Sequence, residues 1–474
     1  MTNARRAIRN LLSISLLSLT GLLCSVSAWG QSGTITATNF GMQCGTGVST
    51  NCPGYVLPNH NAKPGTFRLW DSGTYWAVLQ PRSFSGCSDI QQVSGVNTYC
   101  WDHLDSWLNA LASTSYVKAV IFTFGGTPCQ LVNVSDCGTG PPADPNGLAA
   151  PPTDLTSSGS PSFNAFVTNL VGHCSPPPNG TNCVATIIKN YEMWNEPNGQ
   201  FWYASGAGGT EAQLEEMVFP ARGIIWTNVT GAVVMTPGFA ASNSDYATWF
   251  QAWLNDEITN GTLSNAVAFH VYLANQTPET QYGCYILSTT SSAASGCNNS
   301  GDPSLLYMKD NTTGWASKPW LNTETNFNGS NFTCQFTGAD CVGQVVRWQL
   351  LQDAAGASSV DWYYWNTTIG GVSADETAYY YTMQYLEGGK FTSTCSNASG
   401  SIWTCPFTDT NSNADLWAWT TNTTAQSYSP PSGYINYWIV AGTNAGTCAA
   451  IPGTGFTVTV QPYLLVKTSC SVVP

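Results

Sequence analysis

Charged side chains are scarce in this chain of 474 residues. There are 14 lysines and arginines and 27 aspartates and glutamates, which together make up 9% of the sequence. A disordered chain needs many charges and few aromatic residues, whereas this one is 43% hydrophobic and 12% aromatic. The composition therefore predicts a globular protein with a large core. The formal net charge of -13 repels phosphate backbones, so we expect no nucleic-acid partner.

Histidine is scarcer still, with four residues in the chain, and neither C-x-x-C nor H-E-x-x-H occurs. A zinc site needs clustered cysteine, histidine or carboxylate ligands, so we expect no metal ion and no other cofactor. A serine triad needs a histidine beside its nucleophile, and the G-x-S-x-G sequence that holds such a serine is also absent. These absences argue against the zinc hydrolases and the serine hydrolases.

A long apolar run occurs only near the N-terminus. Three arginines precede the apolar residues 11–23, and small residues follow up to Ala28. This pattern is typical of a secretory signal peptide and is too short for a membrane span. We therefore expect residues 1–30 to be removed and the protein to be secreted, extracellular or periplasmic, with no membrane partner. A lipoprotein anchor at Cys24 is the alternative, but bulky leucines precede this cysteine where small residues would be expected.

Cysteine, in contrast, is abundant. Of the 17 cysteines, Cys24 lies in the predicted signal peptide and the other sixteen fall in close couples around Gly-, Ser-, Asn- or Pro-rich stretches. The couples favour eight local disulfides that staple surface loops, and hence an oxidising compartment. The expected pairs are Cys44–Cys52, Cys87–Cys100, Cys129–Cys137, Cys174–Cys183, Cys284–Cys297, Cys334–Cys341, Cys395–Cys405 and Cys448–Cys470.

Short β-like runs alternate with helix-like runs through the middle of the chain. This alternation predicts an α/β fold with a parallel sheet, and eight β-like runs predict a (β/α)8 TIM barrel over residues 61–386. The predicted strands are 66–70, 97–101, 117–124, 187–194, 232–236, 266–272, 319–323 and 359–365. The clearest predicted helices are 103–112, 163–171, 214–226, 246–258, 343–355 and 377–386.

The C-terminal residues have a different texture. Helical periodicity stops near residue 387, and alternating runs separated by turn residues predict an accessory β-sandwich over residues 387–474. Residues 33–40 also have a strand pattern, so we expect the N-terminal segment 31–60 to add a strand to this sandwich. A structural role for the sandwich, braced against the barrel, is favoured over a glycan-binding role of its own.

Two glutamates stand at the ends of the fourth and seventh predicted strands, Glu196 in YEMWNEPN and Glu324 in KPWLNTETN. The carboxyl ends of barrel strands form the active face, where these two positions face each other. Cleavage of a glycosidic bond needs one carboxyl group as a proton donor and a second as a nucleophile or base. We expect a separation of about 5–5.5 Å, which retention of configuration requires, with Glu196 in the more apolar surroundings beside Trp194.

The sequence around these glutamates resembles the clan A glycoside hydrolases. The resemblance covers about residues 66–386, is closest in character to glycoside hydrolase family 39, and implies a TIM barrel with a terminal β-sandwich. The matching motifs are W-N-E-P at 194–197 for the acid/base, W-x-x-T-E-T at 320–325 for the nucleophile, FRLWD at 67–71 for the first-strand arginine, FGGTP at 124–128 for the third strand and FHVY at 269–272 for the sixth.

The resemblance also implies roles for individual residues. It implies a retaining glycosidase in which Glu196 is the acid/base and Glu324 the nucleophile. Asn195 would hydrogen-bond the sugar hydroxyl next to the reacting carbon, Tyr272 would hold Glu324 ionised, and His270 would line the pocket, although a histidine satisfied within the barrel is an equal alternative. The implied substrate is an oligo- or polysaccharide, and we expect a monomer. A secreted carbohydrate-binding protein on an inactive barrel is disfavoured because both glutamates are present.

Two further assignments concern cations and aromatic rings. Arg68 would lie below Glu324, and a structural ion pair with Glu192 carries equal weight. Aromatic faces stack on the apolar faces of sugars. The candidates for this stacking, in order of preference, are Trp365 at the end of the eighth predicted strand, Trp70 and Trp202.

Overall fold

The computed structural model of the protein describes residues 33–43, 61–81, 84–92, 98–132, 150–175, 180–199, 201–202, 209–273, 276–286, 297, 302–327, 334, 339–363, 365, 368–369, 372–453 and 455–471. The predicted signal peptide, residues 1–30, lies outside this set. Every helix within the described residues is too short or too polar to cross a membrane.

Short strands and helices alternate along the described chain up to residue 386. The strands are β1 (Phe40–Gln43), β2 (Thr66–Leu69), β3 (Ile90–Gln92), β4 (Thr98–Cys100), β5 (Ala119–Thr123), β6 (Cys174–Ser175), β7 (Asn182–Cys183), β8 (Asn190–Glu192), β9 (Val233–Met235), β10 (Phe239–Ala240), β11 (Val267–His270), β12 (Trp320–Thr325) and β13 (Ser359–Trp362). The α-helices are α1 (Trp76–Leu79), α2 (Asp102–Ala112), α3 (Pro161–Gly172), α4 (Val184–Ile187), α5 (Glu211–Asn228), α6 (Tyr246–Thr259), α7 (Pro278–Gln281), α8 (Leu305–Asn311), α9 (Ala339–Ala354) and α10 (Ser373–Leu386). Ala37–Asn39 and Cys129–Leu131 form 3-10 turns, and Tyr282–Ile286 forms a π-helical turn.

Local sequence explains where the longer helices begin. The Ser160 hydroxyl accepts a hydrogen bond from the backbone N–H of Phe163, with Pro161 at the first position of α3. Thr210 and Gln213 form a capping box at the start of α5. The six helices predicted from apolar spacing coincide with α2, α3, α5, α6, α9 and α10, and are confirmed.

The largest sheet is parallel and has nine strands in the order β10-β11-β12-β13-β1-β2-β5-β8-β9. The strands β9 and β10 are consecutive in the chain but stand at opposite ends of this order, so the sheet curls until its ends approach each other. The ladder is interrupted there. Two isolated parallel bridges connect the ends, one between Met235 and Ala266 and one between Asn195 and Gly238. The fold is therefore α/β with a curled parallel sheet, consistent with a TIM barrel whose ring is not continuously hydrogen-bonded.

The first strand of this sheet is β1, in the N-terminal segment. It pairs with β13 on one side and with β2 on the other, so the prediction that this segment adds a strand to the C-terminal sandwich is wrong. A side chain at Gly41 would overlap the Asp361 carboxylate, and the Gln43 side chain accepts a hydrogen bond from Arg68. Gly41 and Gln43 of β1 thus contact Asp361 on β13 and Arg68 on β2. Outside β1, Ile35 exchanges two backbone hydrogen bonds with residues 388 and 389.

The run 97–101, predicted as a barrel strand, lies outside the large sheet. Its residues form β4, which pairs antiparallel with β3 in a hairpin, and the Cys87–Cys100 disulfide staples this hairpin. The prediction of a strand is correct, but this strand pairs with the neighbouring β3 and not with a strand of the barrel. The other seven predicted strands overlap β2, β5, β8, β9, β11, β12 and β13.

Six of the eight expected disulfides are present, and they close the predicted surface loops. The pairs Cys44–Cys52 and Cys129–Cys137 include residues outside the described part of the chain. The confirmed pairs are Cys87–Cys100, Cys174–Cys183, Cys284–Cys297, Cys334–Cys341, Cys395–Cys405 and Cys448–Cys470.

After α10 the described chain is all β. One antiparallel sheet has the order β14-β16-β17-β22-β19-β20, with β15 beside β16, and β18 pairs with β21 separately. These strands are β14 (Lys390–Phe391), β15 (Ser396–Ser399), β16 (Ile402–Thr408), β17 (Ala414–Thr420), β18 (Gln426–Tyr428), β19 (Asn436–Ile439), β20 (Cys448–Ala450), β21 (Phe456–Val458) and β22 (Tyr463–Val466).

The two faces of the larger antiparallel sheet have different partners. Leu416 and Ala418 of β17 pack with Phe456 and other residues of the small second sheet. The alternate residues of β17, including Trp419, join the core that extends into the barrel. The Trp419 indole N–H donates to Oε1 of Glu279 on α7 over 2.7 Å. These contacts favour a structural role for the β module.

Two aspartates are fully buried within the fold. Asp353 on α9 accepts hydrogen bonds from the side chains of Asn39 and Gln349, and Asp361 on β13 accepts one from Ser359. Burial outweighs these hydrogen bonds and raises the pKa of each carboxyl group to about 8. Both groups are therefore mainly protonated in the folded protein near neutral pH.

Thermal stability should fall as the pH rises from about 4 to about 8. Across this window the folded protein keeps protons on Asp353 and Asp361 that the unfolded chain releases, so rising pH favours unfolding. By calorimetry we expect a melting temperature roughly 5 °C or more higher near pH 5 than near pH 8. Asp353→Asn, which mimics the protonated acid, should reduce this difference, whereas Asp310→Asn on α8 should not. A melting temperature that rises with pH would contradict the prediction.

Candidate active site

Glu196 and Glu324 lie close together at the carboxyl end of the parallel sheet. Glu324 is on β12, and Glu196 follows β8 by four residues. One carboxylate oxygen of Glu196, one of Glu324 and one ring nitrogen of His270 all lie within 4.8 Å of one another. The exposed fraction of the side chain is 19% for Glu196 and 7% for Glu324. The two glutamates thus meet at one largely closed site, as the strand positions in the sequence predict.

The backbone of Glu196 has a φ of 40°, in the left-handed region that favours glycine. Among the described residues other than glycine, it shares a positive φ only with Ser412. The Glu196 N–H donates to the Gly238 carbonyl over 2.9 Å, and the Asn195 N–H donates to the Phe124 carbonyl over 2.9 Å. Strain of this kind persists where the surroundings overdetermine the conformation. Neighbouring strands therefore hold the N-E-P turn in its unusual shape.

Arg68 on β2 is fully buried and joins several strands. Its guanidinium donates to Oε2 of Glu324 over 2.6 Å and to the two carboxylate oxygens of Glu192 over 3.0 and 2.7 Å. It also donates to Oε1 of Gln43 and, over 2.6 Å, to Oδ1 of Asn195. Both interpretations of this arginine therefore hold, because it contacts Glu324 and also forms the buried ion pair with Glu192.

The ion pairs determine the charges in this buried network. Burial favours the neutral acid at Glu192, but Arg68 and His270 outweigh burial and lower the pKa of Glu192 to about 2. Burial also disfavours the cation at Arg68, yet the charges of Glu192 and Glu324 raise its pKa above the ordinary value. The Arg68–Glu192 pair is therefore fully charged near neutral pH.

His270, at the end of β11, connects the ion pair to Glu196. Its Nδ1 lies 3.0 Å from Oε1 of Glu196, and its Nε2 lies 3.3 Å from Oε1 of Glu192. Burial alone would lower the pKa of the imidazole, but the carboxylates of Glu324, Glu192 and Glu196 raise it to about 9. An imidazolium donates from both nitrogens, so His270 can interact with Glu196 and Glu192 at the same time.

Tyr272 and Asn195 complete the group of predicted polar residues. The Tyr272 hydroxyl donates to Oε1 of Glu324, and burial with the nearby carboxylates raises the pKa of this phenol well above its usual value. Asn195 uses its carbonyl oxygen to accept from Arg68, and its amide N–H2 group has no hydrogen-bond partner among the described residues. Glu324 thus has one donor on each oxygen, and Asn195 keeps a donor for a substrate.

The tryptophans predicted to stack on a sugar lie in the core. The exposed fraction is 0% for Trp202, 1% for Trp365 and 4% for Trp70. Trp365 packs edge-on against Tyr379 with ring centroids 5.1 Å apart, and Trp202 packs against Trp194 at 5.3 Å. This burial does not fit the predicted role of Trp202 and Trp365 as sugar platforms. A tryptophan after a strand end fills the space beneath the adjoining segments as readily as it lines a cavity.

Trp70 stays next to the site as the inner member of an aromatic cluster. Its ring lies 5.2 Å from the ring of Tyr75 and 5.2 Å from that of Phe201. A side chain at Gly125 would overlap the Trp70 ring, so glycine allows this ring to approach the backbone. Tyr75 and Phe201 are partly exposed. They, rather than Trp70, present aromatic surface beside the site.

Asp71 and Tyr363 also belong to the site. Asp71 is the last residue of the FRLWD motif, which is assigned for its arginine, and Tyr363 lies in none of the matching motifs. The hydroxyl of Tyr363, one residue after β13, donates to Oδ2 of Asp71, two residues after β2. Burial raises the pKa of Asp71 to about 6, the hydrogen bond from Tyr363 opposes this, and the charges of Glu324 and Glu196 add to it. The available sequence signal is position, since each residue closely follows a barrel strand.

Several solved structures that share this fold are glycoside hydrolases. A family 39 glycoside hydrolase from the gut symbiont Bacteroides cellulosilyticus WH2 has a TM-score of 0.57 at 14% identity, over 92% of this chain and 82% of that chain. The GH39 enzyme from Xanthomonas axonopodis pv. citri has a TM-score of 0.51 at 14% identity, over 92% and 95%. The catalytic domain of GH30 xylanase C from Talaromyces cellulolyticus has a TM-score of 0.53 at 12% identity, over 93% and 98%.

These similarities concern the fold, because all of the identities are low. No family model matches the chain, and no curated protein matches its sequence. The resemblance to clan A and family 39 inferred from the motifs is confirmed at the level of the fold.

Proposed function

We propose that this chain is a secreted, retaining glycoside hydrolase that cleaves O-glycosidic bonds of an oligo- or polysaccharide. The observation that carries the proposal is the approach of a Glu196 oxygen to within 4.8 Å of a Glu324 oxygen. The two carboxyl groups are about 5–5.5 Å apart in retaining enzymes and about 6.5–9.5 Å apart in inverting enzymes. The separation of the two glutamates therefore favours retention.

Glu324 is the nucleophile of the first step. One of its oxygens attacks the anomeric carbon and forms a glycosyl ester, while the bond from this carbon to the leaving oxygen breaks and the leaving oxygen takes a proton from Glu196. Arg68 and Tyr272 hydrogen-bond different oxygens of Glu324. They orient the carboxylate and stabilise its negative charge before the attack.

Glu196 is the base of the second step. Its carboxylate takes a proton from a water molecule whose oxygen attacks the anomeric carbon, and the ester bond to Glu324 breaks and releases the carboxylate. The contact between Nδ1 of His270 and Oε1 of Glu196 orients the Glu196 carboxyl group for both steps. The open amide group of Asn195 is suited to the sugar hydroxyl next to the reacting carbon. Two displacements at the same carbon give retention.

The remaining parts of the proposal concern the barrel and the compartment. Counting β9 and β10 as one interrupted strand gives the eight positions of a (β/α)8 barrel, and the Met235–Ala266 bridge supports closure of the ring. Six disulfides fit an oxidising, extracellular setting. The signal peptide and the monomeric state stay predictions.

The configuration of the first product tests the proposal. After a screen of plant and microbial polysaccharides and aryl glycosides finds a substrate, proton NMR during early turnover should show a product with the substrate's anomeric configuration. Glu196→Gln should lower kcat on the polysaccharide by about 1,000-fold without abolishing binding, and Glu216→Gln on α5 is the matched control. An inverted product, or a Glu196→Gln variant with the wild-type rate, would contradict the proposal.

Gly238 should tolerate no larger residue, because a Cβ there would overlap Nε2 of His270 and Oε1 of Glu192. Gly238→Ala should displace His270 from Glu196 and lower kcat by about 100-fold, since misplacements near 1 Å have effects of this size. In Gly223→Ala on α5 the new Cβ meets open space, so this control should keep the wild-type kcat. If Gly238→Ala and Gly223→Ala had the same kcat, the prediction would be wrong.

A further inference from the structure

We propose that the active site selects a neutral sugar over a uronate-bearing one at the cleavage position, with Asp71 as the specificity-determining residue and Tyr363 as the residue that positions it. The inference rests on the proposed glycoside hydrolysis and names the class of its substrate. The inference depends on the position of Asp71, a third carboxylate beside Glu196 and Glu324. The cations of this site, Arg68 and His270, are buried and already interact with other carboxylates.

Asp71 has the geometry of an acceptor for substrate hydroxyls. The Tyr363 hydroxyl donates to one of its oxygens, Oδ2, whereas Oδ1 has no hydrogen-bond partner among the described residues. The side chain is partly exposed, and the charges of Glu324, Glu196 and Arg68 all act on it. A carboxylate with one fixed and one open oxygen accepts hydrogen bonds from neighbouring hydroxyls of a neutral sugar.

The cations of the site are not available to a substrate carboxylate. Arg68 has 0% and His270 has 1% of its surface exposed. Arg68 already bonds Glu192 and Glu324, and His270 already contacts Glu192 and Glu196. A uronate would therefore lose its hydration and meet Asp71 and the catalytic carboxylates without a partner of opposite charge. Like charges that face each other in this way disfavour binding.

The segments after the barrel strands supply almost no replacement cation. Of the 14 lysines and arginines in the chain, only Lys63, between β1 and β2, and Arg82, between α1 and β3, lie in segments that follow the carboxyl end of a strand of the large sheet. The ammonium group of Lys63 lies 5.9 Å from the ring centroid of Tyr116, which precedes β5 at the amino end of the sheet. Arg82 lies outside the described residues. The sequence therefore leaves one candidate, Arg82, for pairing with an acidic sugar.

Matched substrates test the selection directly. Aryl glycosides of gluco, galacto and manno configuration, in both anomers, are each paired with the corresponding uronide, and xylosides and arabinosides extend the neutral group. Assays near pH 7 lie above the Asp71 pKa of about 6, so its carboxylate is charged. The wild-type kcat/KM should favour the neutral member of a cleaved pair by about 100-fold or more.

Variants assign the selection to Asp71. Asp71→Asn should lower kcat/KM for the neutral substrate by about 10-fold to 100-fold and reduce the preference over the uronide by at least about 10-fold. Tyr363→Phe, which keeps the ring and loses the donor to Asp71, should reduce the preference less. Asp310→Asn on α8 and Arg82→Ala should leave the preference unchanged.

Three results would overturn the inference while leaving glycoside hydrolysis intact. They are a uronide cleaved as fast as its neutral partner, an unchanged preference in both Asp71→Asn and Tyr363→Phe, and uronide cleavage that depends on Arg82. If the wild-type protein cleaved no glycoside at all, the proposed function would fail, and this inference would fail with it. The wild-type comparison alone keeps the test decisive if the Asp71 variant does not fold.

Discussion

Replacement of Glu324 by alanine should lower kcat by about 1,000-fold or more, and sodium azide should restore cleavage of an aryl glycoside. The variant lacks the oxygen that attacks the anomeric carbon but keeps Glu196 as the proton donor. Azide fits the space left by the carboxylate and attacks the same carbon once. The product is a glycosyl azide of inverted configuration, identified by NMR.

The matched variant Glu196→Ala distinguishes the two roles. It retains the nucleophile, so an aryl glycoside with a good leaving group still forms the ester at Glu324, and azide then attacks this ester. The product is a glycosyl azide with the configuration of the substrate, because two displacements have occurred. Identical azide products from the two variants, or no effect of either substitution on kcat, would refute the assignment of Glu196 and Glu324.

The barrel strands differ in how easily they can be recognised from the sequence. Parallel strands that are buried on both faces carry nearly continuous apolar runs, so 117–124 and 266–272 can be recognised locally. β1 is the exception. Gly41 is required because the Asp361 side chain occupies the adjoining space, and Gln43 is required because it bonds Arg68. Both reasons come from residues on other strands, so the local sequence pattern does not show that β1 belongs to the barrel. The same local pattern favours 97–101 as a barrel strand, although this run pairs only with the neighbouring β3 in a hairpin.

The same distinction applies to the site. Glu196, Glu324, His270 and Tyr272 lie at or just beyond the ends of recognisable strands, so their convergence follows from the barrel topology alone. Asp71 and Tyr363 are 292 residues apart in sequence. Their hydrogen bond forms because β2 and β13, the strands that precede them, lie close together in the sheet. The sequence alone does not show that these two strands are close.

The tryptophans proposed to stack on a sugar show that residue type alone is a weak guide to such a role. An aromatic ring near a strand end serves core packing or sugar stacking equally well, and exposure decides between them. Trp202 and Trp365 are buried, whereas Tyr75 and Phe201, which carry no motif, keep partly exposed rings. Sequence predicts the convergence of Glu196 and Glu324 better than the residues around them, because this convergence depends on strand topology and the surroundings depend on loop packing.

Arg68→Met should both destabilise the fold and inactivate the site. The substitution removes the cation from between Glu192 and Glu324, and a buried carboxylate left unpaired typically costs about 3–5 kcal/mol. We expect a loss of this size in the free energy of unfolding, measured by urea denaturation. In addition, the folded fraction should lose about 100-fold or more in kcat, because Glu324 and Asn195 lose the donor that orients them.

The chain contains a matched control in the buried pair of Arg222 and Glu257, whose Nη1 and Oε1 atoms are 2.6 Å apart. Arg222→Met also leaves a buried carboxylate without its cation, so it should destabilise the fold by a similar amount. Its partners on α5 and α6 lie outside the group around Glu196, so the folded fraction should keep the wild-type kcat. Comparison of the two variants separates the cost of an unpaired charge from the loss of catalytic orientation.

An Arg68→Met protein with normal kcat per folded molecule would show that this arginine is structural only, and the role given to its hydrogen bond with Glu324 would then be wrong.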